Sequence, residues 1–228
     1  MTQSNYLPWR GYFAAMREAD HVVLLDNVQY TRRDWRKRNR IRVEGSEQWL
    51  TVPVVTKGLY HAPISAIRTR DADWPSIHAA TLRQTYRRSP GRHAVEAVAA
   101  TIERVGVAKP MLSDVNREIL SMVGEMVGIT RDFVTLTEPD TFGPTERLVR
   151  AAQAVGATRY LTGPSAAAYL NEDLFREVGI EVDYLDYGHL PVDADGAATG
   201  GELSIVDVLA RRPDDAAHLS AFRRTDNA

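Results

Sequence analysis

Two neighbouring segments near the N-terminus carry residues that suit chemistry on an anionic small molecule. In the first segment, Gly11 stands at the start of a predicted helix, directly after a short predicted strand. A glycine at such a joint lets free backbone N–H groups approach a phosphate or a carboxylate closely. The polar and aromatic side chains around this joint are Gln3, Asn5, Tyr6, Trp9 and Tyr12. They predict a ligand site, although the aromatic side chains would equally suit a buried core.

The second segment, residues 27–42, is strongly basic. Between Arg32 and Arg42 there are seven Arg or Lys residues and one acid, Asp34. Arginine grips carboxylates and phosphates through two parallel hydrogen bonds, and an embedded aromatic ring can stack on a ligand. A solvated surface is the alternative, and a helix here would be basic on most faces. The side chains predicted to contact substrate are Gln29, Tyr30, Arg33, Trp35, Arg36 and Arg40.

A third segment places Gly163 and Ser165 between a predicted strand and a predicted helix. Its order resembles the GxSxG turn that presents a serine nucleophile, with Ala167 in place of the last glycine. Asp186 and His189 would then complete a triad from a neighbouring strand. A helix cap at Ser165 with an anion-binding turn at Gly163 is favoured instead. The substrate-binding residues predicted here are Thr162, Gly163, Ser165 and Tyr169.

Three side chains are predicted to be catalytic: Asp26, His78 and Tyr6. Asp26 ends an apolar run typical of a parallel strand, and ligands bind at the ends of such strands. His78 is the first candidate for a general base near neutral pH, and His189 is the second. The six histidines show neither HxH nor HExxH spacing, so no metal site is predicted.

The elements that position these residues alternate between strands and helices, apart from a helical middle. Apolar runs bounded by glycines predict parallel strands, and apolar residues at helical spacing predict amphipathic helices. The predicted strands are residues 3–7, 21–26, 49–55, 133–136, 159–162 and 181–187. The predicted helices are residues 11–19, 74–88, 92–106, 109–128, 145–155, 166–178 and 203–210.

These elements predict one α/β domain over residues 1–228. Its sheet is Rossmann-like, with a nucleotidyltransferase-like variant left open, and mainly parallel. A basic loop and β insertion at 29–60 and a helical segment at 74–128 interrupt the alternation of strands and helices.

Composition excludes several functional classes. The chain has a formal net charge of -2 and 44% hydrophobic residues, which suits a globular core and gives no global attraction to DNA. The absence of cysteine removes disulfides, thiolate nucleophiles and cysteine zinc sites. Neither a signal peptide nor an apolar run of about 18 residues is found, so we expect a cytoplasmic protein without a membrane span.

The positions of Trp9 and Tyr12 resemble those of the two histidines in the HxGH signature of nucleotidyltransferase-like folds. The imidazoles of that signature stabilise charge on a transferring phosphate. Because both are replaced by aromatic residues here, kinship of fold is favoured and adenylating chemistry is not.

Longer motifs resemble the WbqC-like family over most of the chain, from Gln3 to about Tyr187. They are Gln3-x-Asn-Tyr-x-Pro-Trp-x-Gly-Tyr-Phe13, Asp20, Leu25-Asp26, Val28-Gln-Tyr-Thr31, Arg33-Asp-Trp-Arg36, Arg38-Asn-Arg40, Trp49-Leu-Thr-Val-Pro53, Tyr160-Leu-Thr-Gly-Pro-Ser165 and Tyr169-Leu170. Asn27 departs from the family's usual second aspartate, and the sequence after Tyr187 lacks the usual aromatic and Gln pattern. The resemblance implies a role in surface-polysaccharide, amino-sugar or natural-product pathways and modification of an amine.

The leading hypothesis is therefore a biosynthetic enzyme that forms an amide by acyl or aminoacyl transfer to an amine. Asp26 would orient the amine or accept its proton, and Arg33, Arg36 and Arg40 would hold a phosphate or carboxylate. We expect Asp26, Tyr6 and Gly163 to converge on one pocket.

Two alternatives remain open. One is an amide hydrolase or cyclase that uses Ser165 or Asp26, and the other is a non-catalytic module that binds RNA or a nucleotide-sugar. The partners expected are a small molecule with an amine and an anionic group, an acyl or aminoacyl carrier, and a second copy in a homodimer. The sequence indicates no cofactor.

Overall fold

The chain forms small sheets surrounded by helices in the computed structural model, which describes residues 1–136, 141–187, 203–216 and 223–225. Its α-helices are α1 (Arg10–Glu18), α2 (Trp74–Tyr86), α3 (Arg92–Ala108), α4 (Leu112–Met126), α5 (Pro144–Ala154), α6 (Asp173–Arg176), α7 (Ile205–Arg211) and α8 (Pro213–Ala216). Its strands are β1 (Val22–Leu24), β2 (Arg38–Val43), β3 (Ser46–Thr51), β4 (Phe133–Thr135), β5 (Arg159–Thr162), β6 (Glu181–Asp186) and β7 (Arg223–Thr225). The predicted α/β class is confirmed.

The first sheet has β1 at its centre. β4 pairs with β1 in parallel. Thr2 pairs with Leu24 in parallel through bonds to Val23 and Leu25. Because neighbouring residues of a strand point their hydrogen-bonding groups to opposite sides, Thr2 and β4 lie on opposite edges of β1. Thr2, α1 and β1 follow the order of the predicted strand–helix–strand unit, but the strand predicted for residues 3–7 is wrong, because only the single bridge at Thr2 forms before α1.

The C-terminal end of α1 is held by Arg131. The guanidinium group of Arg131 donates to the carbonyl oxygens of Met16 at 3.1 Å and Arg17 at 2.8 Å. The last carbonyls of a helix have no partner within the helix and carry a partial negative charge. Arg131 supplies both hydrogen-bond donors and a positive charge to these carbonyls, and it connects α1 to the segment before β4.

The predicted helical middle contributes many of the buried residues of the larger hydrophobic cluster. The buried face of α4 contains Val115, Ile119, Leu120 and Val123. Gly91, the N-cap of α3, lies so close to α7 that a Cβ atom there would be 1.8 Å from the carbonyl oxygen of Leu209. Tyr86 adds a second link to α7, since its hydroxyl donates to Asp207 at 2.8 Å. No helix among the described residues has the length and apolar character needed to cross a membrane.

The basic segment is largely a β-hairpin, β2–β3, which lies within the loop and β insertion predicted for residues 29–60. Alternation places Asn39 and Ile41 in the core, whereas Arg38 and Arg40 are partly exposed and Arg42 is buried. Glu44 and Gly45 form the turn and both have positive φ, which is typical of a type I′ hairpin turn.

The strand predicted for residues 49–55 lies closer to the N-terminus in the structure. In the structure β3 begins at Ser46 and ends at Thr51, where its pairing with β2 stops. Pro53 has no N–H to contribute to a ladder, so pairing cannot continue through it.

The second sheet contains the parallel pair β5–β6, with β7 antiparallel to β6. A separate small apolar cluster covers it, where the ring of Tyr160 stacks on Phe175 at a centroid distance of 4.8 Å. The single helix predicted for residues 166–178 is wrong: a 3-10 helix, Pro164–Ala168, precedes α6. Asn171 separates the two because its Oδ1 accepts an N–H at the start of α6 and thereby begins a new helix.

Candidate functional site

A cleft with a volume of about 620 Å³ lies between the two sheets. One wall follows Thr2 and the free edge of β1, and the opposite wall follows β5. The cleft continues past the C-terminal end of β5. Ligands of open α/β sheets bind beyond the carboxyl ends of parallel strands. We call this end of the cleft the strand-end site; its residues are Asn5, Trp9, Tyr12, Thr162, Gly163, Ser165 and Tyr169.

The strand-end site unites residues from two distant parts of the chain. Asn5, Trp9 and Tyr12 come from the first predicted segment, and the other four come from the turn after β5. All of them belong to the set predicted to bind substrate. The structure brings them together, and substrate binding itself stays a prediction.

Aromatic rings occupy the space beside Gly11 and Gly163. A Cβ atom on Gly11 would lie 2.2 Å from the ring of Trp9, so the ring needs a residue without a side chain at this position. Trp9 in turn packs edge-on against Tyr187, with 5.1 Å between ring centroids. The hydroxyl of Tyr187 would lie 3.3 Å from a Cβ atom on Gly163. The close approach expected for a ligand at Gly11 is therefore made by Trp9, which forms a wall of the cleft.

Tyr12 places a neutral hydroxyl group at the cleft. Its hydroxyl donates to the carbonyl oxygen of Gln3 at 2.9 Å. Burial raises the pKa of Tyr12 above its usual range, so the phenol keeps its proton at neutral pH. Tyr12 can therefore act as a hydrogen-bonding group, while proton abstraction requires another residue.

Arg36 organises the N-terminal motif from outside the cleft lining. Its guanidinium group donates to Asn5 Oδ1 at 3.2 Å and to Gln3 Oε1, and it pairs with Asp34 at 3.2 Å. Burial lowers the pKa of Arg36, with the Asp34 carboxylate opposing that shift. Its buried Nε atom has no hydrogen-bond partner. Arg36 thus holds the side chain of Asn5 at the wall of the cleft.

Asp26 lies directly behind the same motif. It is only 5% exposed, and its Oδ1 accepts the N–H of Ser4 at 2.9 Å. Burial raises the pKa of Asp26, an effect that Ser4, Arg117 and Arg36 partly oppose. Within the part of the chain that the structure describes, its Oδ2 is buried without a hydrogen-bond partner, and a buried acceptor in that state is costly. Asp26 is hydrogen-bonded to Ser4, the neighbour of Asn5, and does not itself line the cleft.

Asn116 of α4 is a member of this arrangement that the sequence analysis missed. Its Nδ2 donates to the carbonyl oxygens of Ser4 at 3.1 Å and Arg36 at 2.8 Å. Asn116 is fully buried beside the apolar residues Val115 and Ile119, where a polar group requires partners, and this burial is visible only in the structure. Asn116 joins the N-terminal motif to the basic segment.

Comparison with known proteins agrees with these motifs. The model of the WbqC-like protein family matches residues 3–219. The chain belongs to the WbqC-like family. An uncharacterised protein of Mycobacterium tuberculosis, Rv1507c, is 37% identical over 190 residues, which cover 82% of this chain and 81% of that protein. No solved structure matches the chain significantly.

Tyr6 and His78 of this WbqC-like protein lie away from the cleft, so the expected convergence with Gly163 does not occur. Tyr6 is completely buried, and its hydroxyl lies 2.8 Å from His78 Nδ1. The ring of His78 also bonds to the backbone of Thr51, and burial lowers the pKa of His78 to about 4. His78 is therefore a neutral core residue beneath the hairpin at neutral pH.

The three arginines expected to clamp an anion do not meet at one point. Arg36 turns toward Asn5, as described above. Arg40 pairs with Glu47 at 2.6 Å and lies over the ring of Trp49 at 5.4 Å. Arg33 is exposed in a turn with φ 60°. Only Arg36 is close to the strand-end site.

The remaining residues predicted in the basic segment also lie outside the cleft lining. Gln29 donates from its side-chain amide to the Tyr60 carbonyl oxygen at 2.8 Å. The ring of Tyr30 is buried, and no described residue bonds to its hydroxyl. Trp35 packs against Trp49 at a centroid distance of 5.6 Å. These side chains stabilise the hairpin and its preceding loop.

Ser165 lies on the cleft wall, and the cap position before its 3-10 helix is occupied by Gly163, so the cap predicted at Ser165 is wrong. Asp186 ends β6, and His189 lies outside the described residues. Across the described ranges, no group of three or more His, Asp or Glu residues could hold a metal ion.

Proposed function

We propose that this WbqC-like protein is an enzyme that forms an amide on a small-molecule amine by acyl or aminoacyl transfer. The strand-end site would hold the amine substrate. The observation that carries the proposal is the position of Asp26 behind this site, as a buried carboxyl whose second oxygen has no hydrogen-bond partner among the described residues. Amide formation needs such a group, because an ammonium ion must lose a proton before its nitrogen can attack.

Asp26 would accept that proton. A general base works best when its pKa approaches the operating pH, and burial shifts the pKa of Asp26 in that direction. Because Asp26 does not line the cleft, its Oδ2 would act through one bridging water. The nitrogen forms a bond to the acyl carbon, the bond from that carbon to its leaving group breaks, and the leaving group departs with a proton.

Asn5 and Tyr12 would orient the substrate. Both are fixed by bonds within the N-terminal motif, so they lose little freedom when a ligand binds. The positive charge of Arg36 behind Asn5 favours a substrate with a carboxylate or phosphate at this end. Trp9 and Tyr187 would cover the apolar part of the substrate.

The test is product formation from a panel of amines and activated acyl or aminoacyl donors, followed by mass spectrometry. Asp26→Asn should lower turnover by about 100-fold or more, the usual contribution of a general base. Folding should be retained, since burial disfavours the charged carboxylate and the amide removes that charge. Asp73→Asn is the matched control, because Asp73 is exposed and lies before α2. Equal turnover in Asp26→Asn and in the wild type would contradict the proposal.

A hydrolase or cyclase remains a second candidate because Ser165 lies on the wall of the cleft. In that mechanism, the serine oxygen would bond to the amide carbonyl carbon, the carbon–nitrogen bond would break, and the amine would leave with the serine proton. Water or a nucleophile within the substrate would then take the acyl group from Ser165. Ser165→Ala separates the two mechanisms. Retained turnover removes the serine route, and complete loss with intact folding supports it over direct transfer.

A further inference from the structure

The outer face of the β2–β3 hairpin and the loop before it form a continuous basic surface. We call this surface the basic face; its residues are Arg32, Arg33, Lys37, Arg38, Trp49 and Tyr60. Strand alternation sends Asn39 and Leu50 into the core and leaves their neighbours outside. The positions of Arg38 and Trp49 are therefore fixed by the register of a hairpin that the core anchors.

Aromatic rings hold two of its arginines in place. The guanidinium carbon of Arg38 lies 4.2 Å from the centre of the Trp49 ring, and that of Arg32 lies 4.8 Å from Tyr60. Trp49 is 41% exposed and Tyr60 is 65% exposed. A stacked guanidinium covers the ring face that a nucleic-acid base would need. It keeps N–H groups at its edge for carboxylate oxygens.

The charge of the basic face is not neutralised locally. Within the described parts of the chain, no carboxylate lies within ion-pair distance of Arg32, Arg33, Lys37 or Arg38. Burial and the neighbouring charges of Arg38, Arg32 and Arg70 all lower the pKa of Lys37. A positive potential on a protein with a net charge of -2 gives a local attraction for an acidic surface.

The loop that carries Arg32 and Arg33 is bonded to the wall of the strand-end site through its residues Trp35 and Arg36. Arg36 lies within the same loop and bonds to Asn5 at the wall of the cleft. The carbonyl oxygen of Trp35 accepts the N–H of Tyr6 at 3.1 Å, which ties the loop to the N-terminal motif. A partner docked on the basic face would lie beside the cleft.

We propose that the basic face docks the acidic surface of a carrier protein that delivers the acyl or aminoacyl group as a thioester. This inference rests on the proposed function and names the form of its donor. In the reaction, the amine nitrogen bonds to the thioester carbon, and the carbon–sulfur bond breaks. The thiol remains on the carrier, which dissociates from the basic face.

The experiment is a titration of the full chain with a set of purified acidic carrier proteins in their holo form. Affinity for a recognised carrier should fall steeply between about 20 and 200 mM salt, as expected for a contact between opposite charges. The double variant Arg32→Glu/Arg33→Glu should weaken binding by about 10-fold or more. Arg88→Glu is the matched control, because Arg88 is exposed outside the basic face, and it should leave the affinity unchanged.

Three outcomes overturn the inference: no carrier binds at low salt, the double variant binds as tightly as the wild type, or a tRNA pool binds more tightly than every carrier. Different outcomes contradict the proposed function and the docking inference. Amide formation from coenzyme A thioesters without carrier binding would remove only the docking inference. Carrier binding that depends on Arg32 and Arg33, without amide formation from any amine, would remove only the proposed function.

Discussion

At the scale of single residues, the Tyr6–His78 pair shows how burial fixes a protonation state. Both rings are enclosed, and the imidazole has hydrogen-bond partners on the Tyr6 side and at the backbone of Thr51. A protonated ring would bring an uncompensated charge into the core, which is why the pKa of His78 falls to about 4. The same environment makes His78 a structural residue at the pH where the protein works.

This shift predicts a specific loss of stability in acid. The unfolded chain binds a proton at His78 near pH 6.5, whereas the folded chain does so only near pH 4, so stability is lost as the pH falls through that window. The cost corresponds to roughly 3 kcal/mol for the full change in pKa. Urea unfolding measured from pH 7 to pH 4 should show it, and His78→Gln should flatten the profile. The same profile in His78→Gln and in the control His61→Gln would contradict the assignment.

At the scale of elements, sequence patterns predicted the helices and strands whose apolar residues recur with a regular period. The apolar stripe of α4 is visible in the sequence, and so is the apolar run that becomes β1. The β insertion was predicted, but its first strand, β2, was not located, because the arginines at positions 38, 40 and 42 hid the alternation of Asn39 and Ile41. The break before α6 depends on one hydrogen bond to the side chain of Asn171. Helix propensities of single residues do not predict such a bond.

The residues of the candidate site also fall into those that sequence patterns predicted and those that they did not. Residues that flank a strand end, such as Trp9 and Gly163, could be found by their position in the pattern. Asn116 could not, because it contacts Ser4 across 112 positions of sequence. Tyr6 was wrongly expected at the pocket because a short polar motif does not reveal which of its side chains turn inward.

The contact between α3 and α7 leads to a prediction at this scale. Gly91→Ala would place a Cβ atom 1.8 Å from the Leu209 carbonyl oxygen, a backbone atom that cannot rotate away. We expect a loss of about 1–3 kcal/mol in the free energy of unfolding, as for other overpacked positions. Gly143→Ala is the matched control, since φ is -63° there and the nearest atom is 3.5 Å away. Chemical denaturation measures both, and equal stabilities would show that the two helices separate easily.

At the scale of the whole molecule, the two sheets are stabilised unequally. The first sheet belongs to a large buried cluster that also includes α1 to α4 and α7. The second rests on a small cluster made of Val149, Ala152, Tyr160, Phe175 and Ile180. The cleft lies between them, so its β5 wall belongs to the less stable part.

Hydrogen exchange should reveal this difference, because local opening requires less free energy where few apolar side chains are buried. Amides of β5 and β6 should exchange faster than those of α4, which contacts the main core along its length. An amine substrate that binds both walls stabilises only the state in which they face each other. It should therefore slow exchange in β5, and at saturation Tyr12→Phe should show less protection than the wild type. Exchange in β5 that is as slow as in α4 without substrate would mean that the two sheets open as one cooperative unit, and the cleft would then be a preformed rigid site.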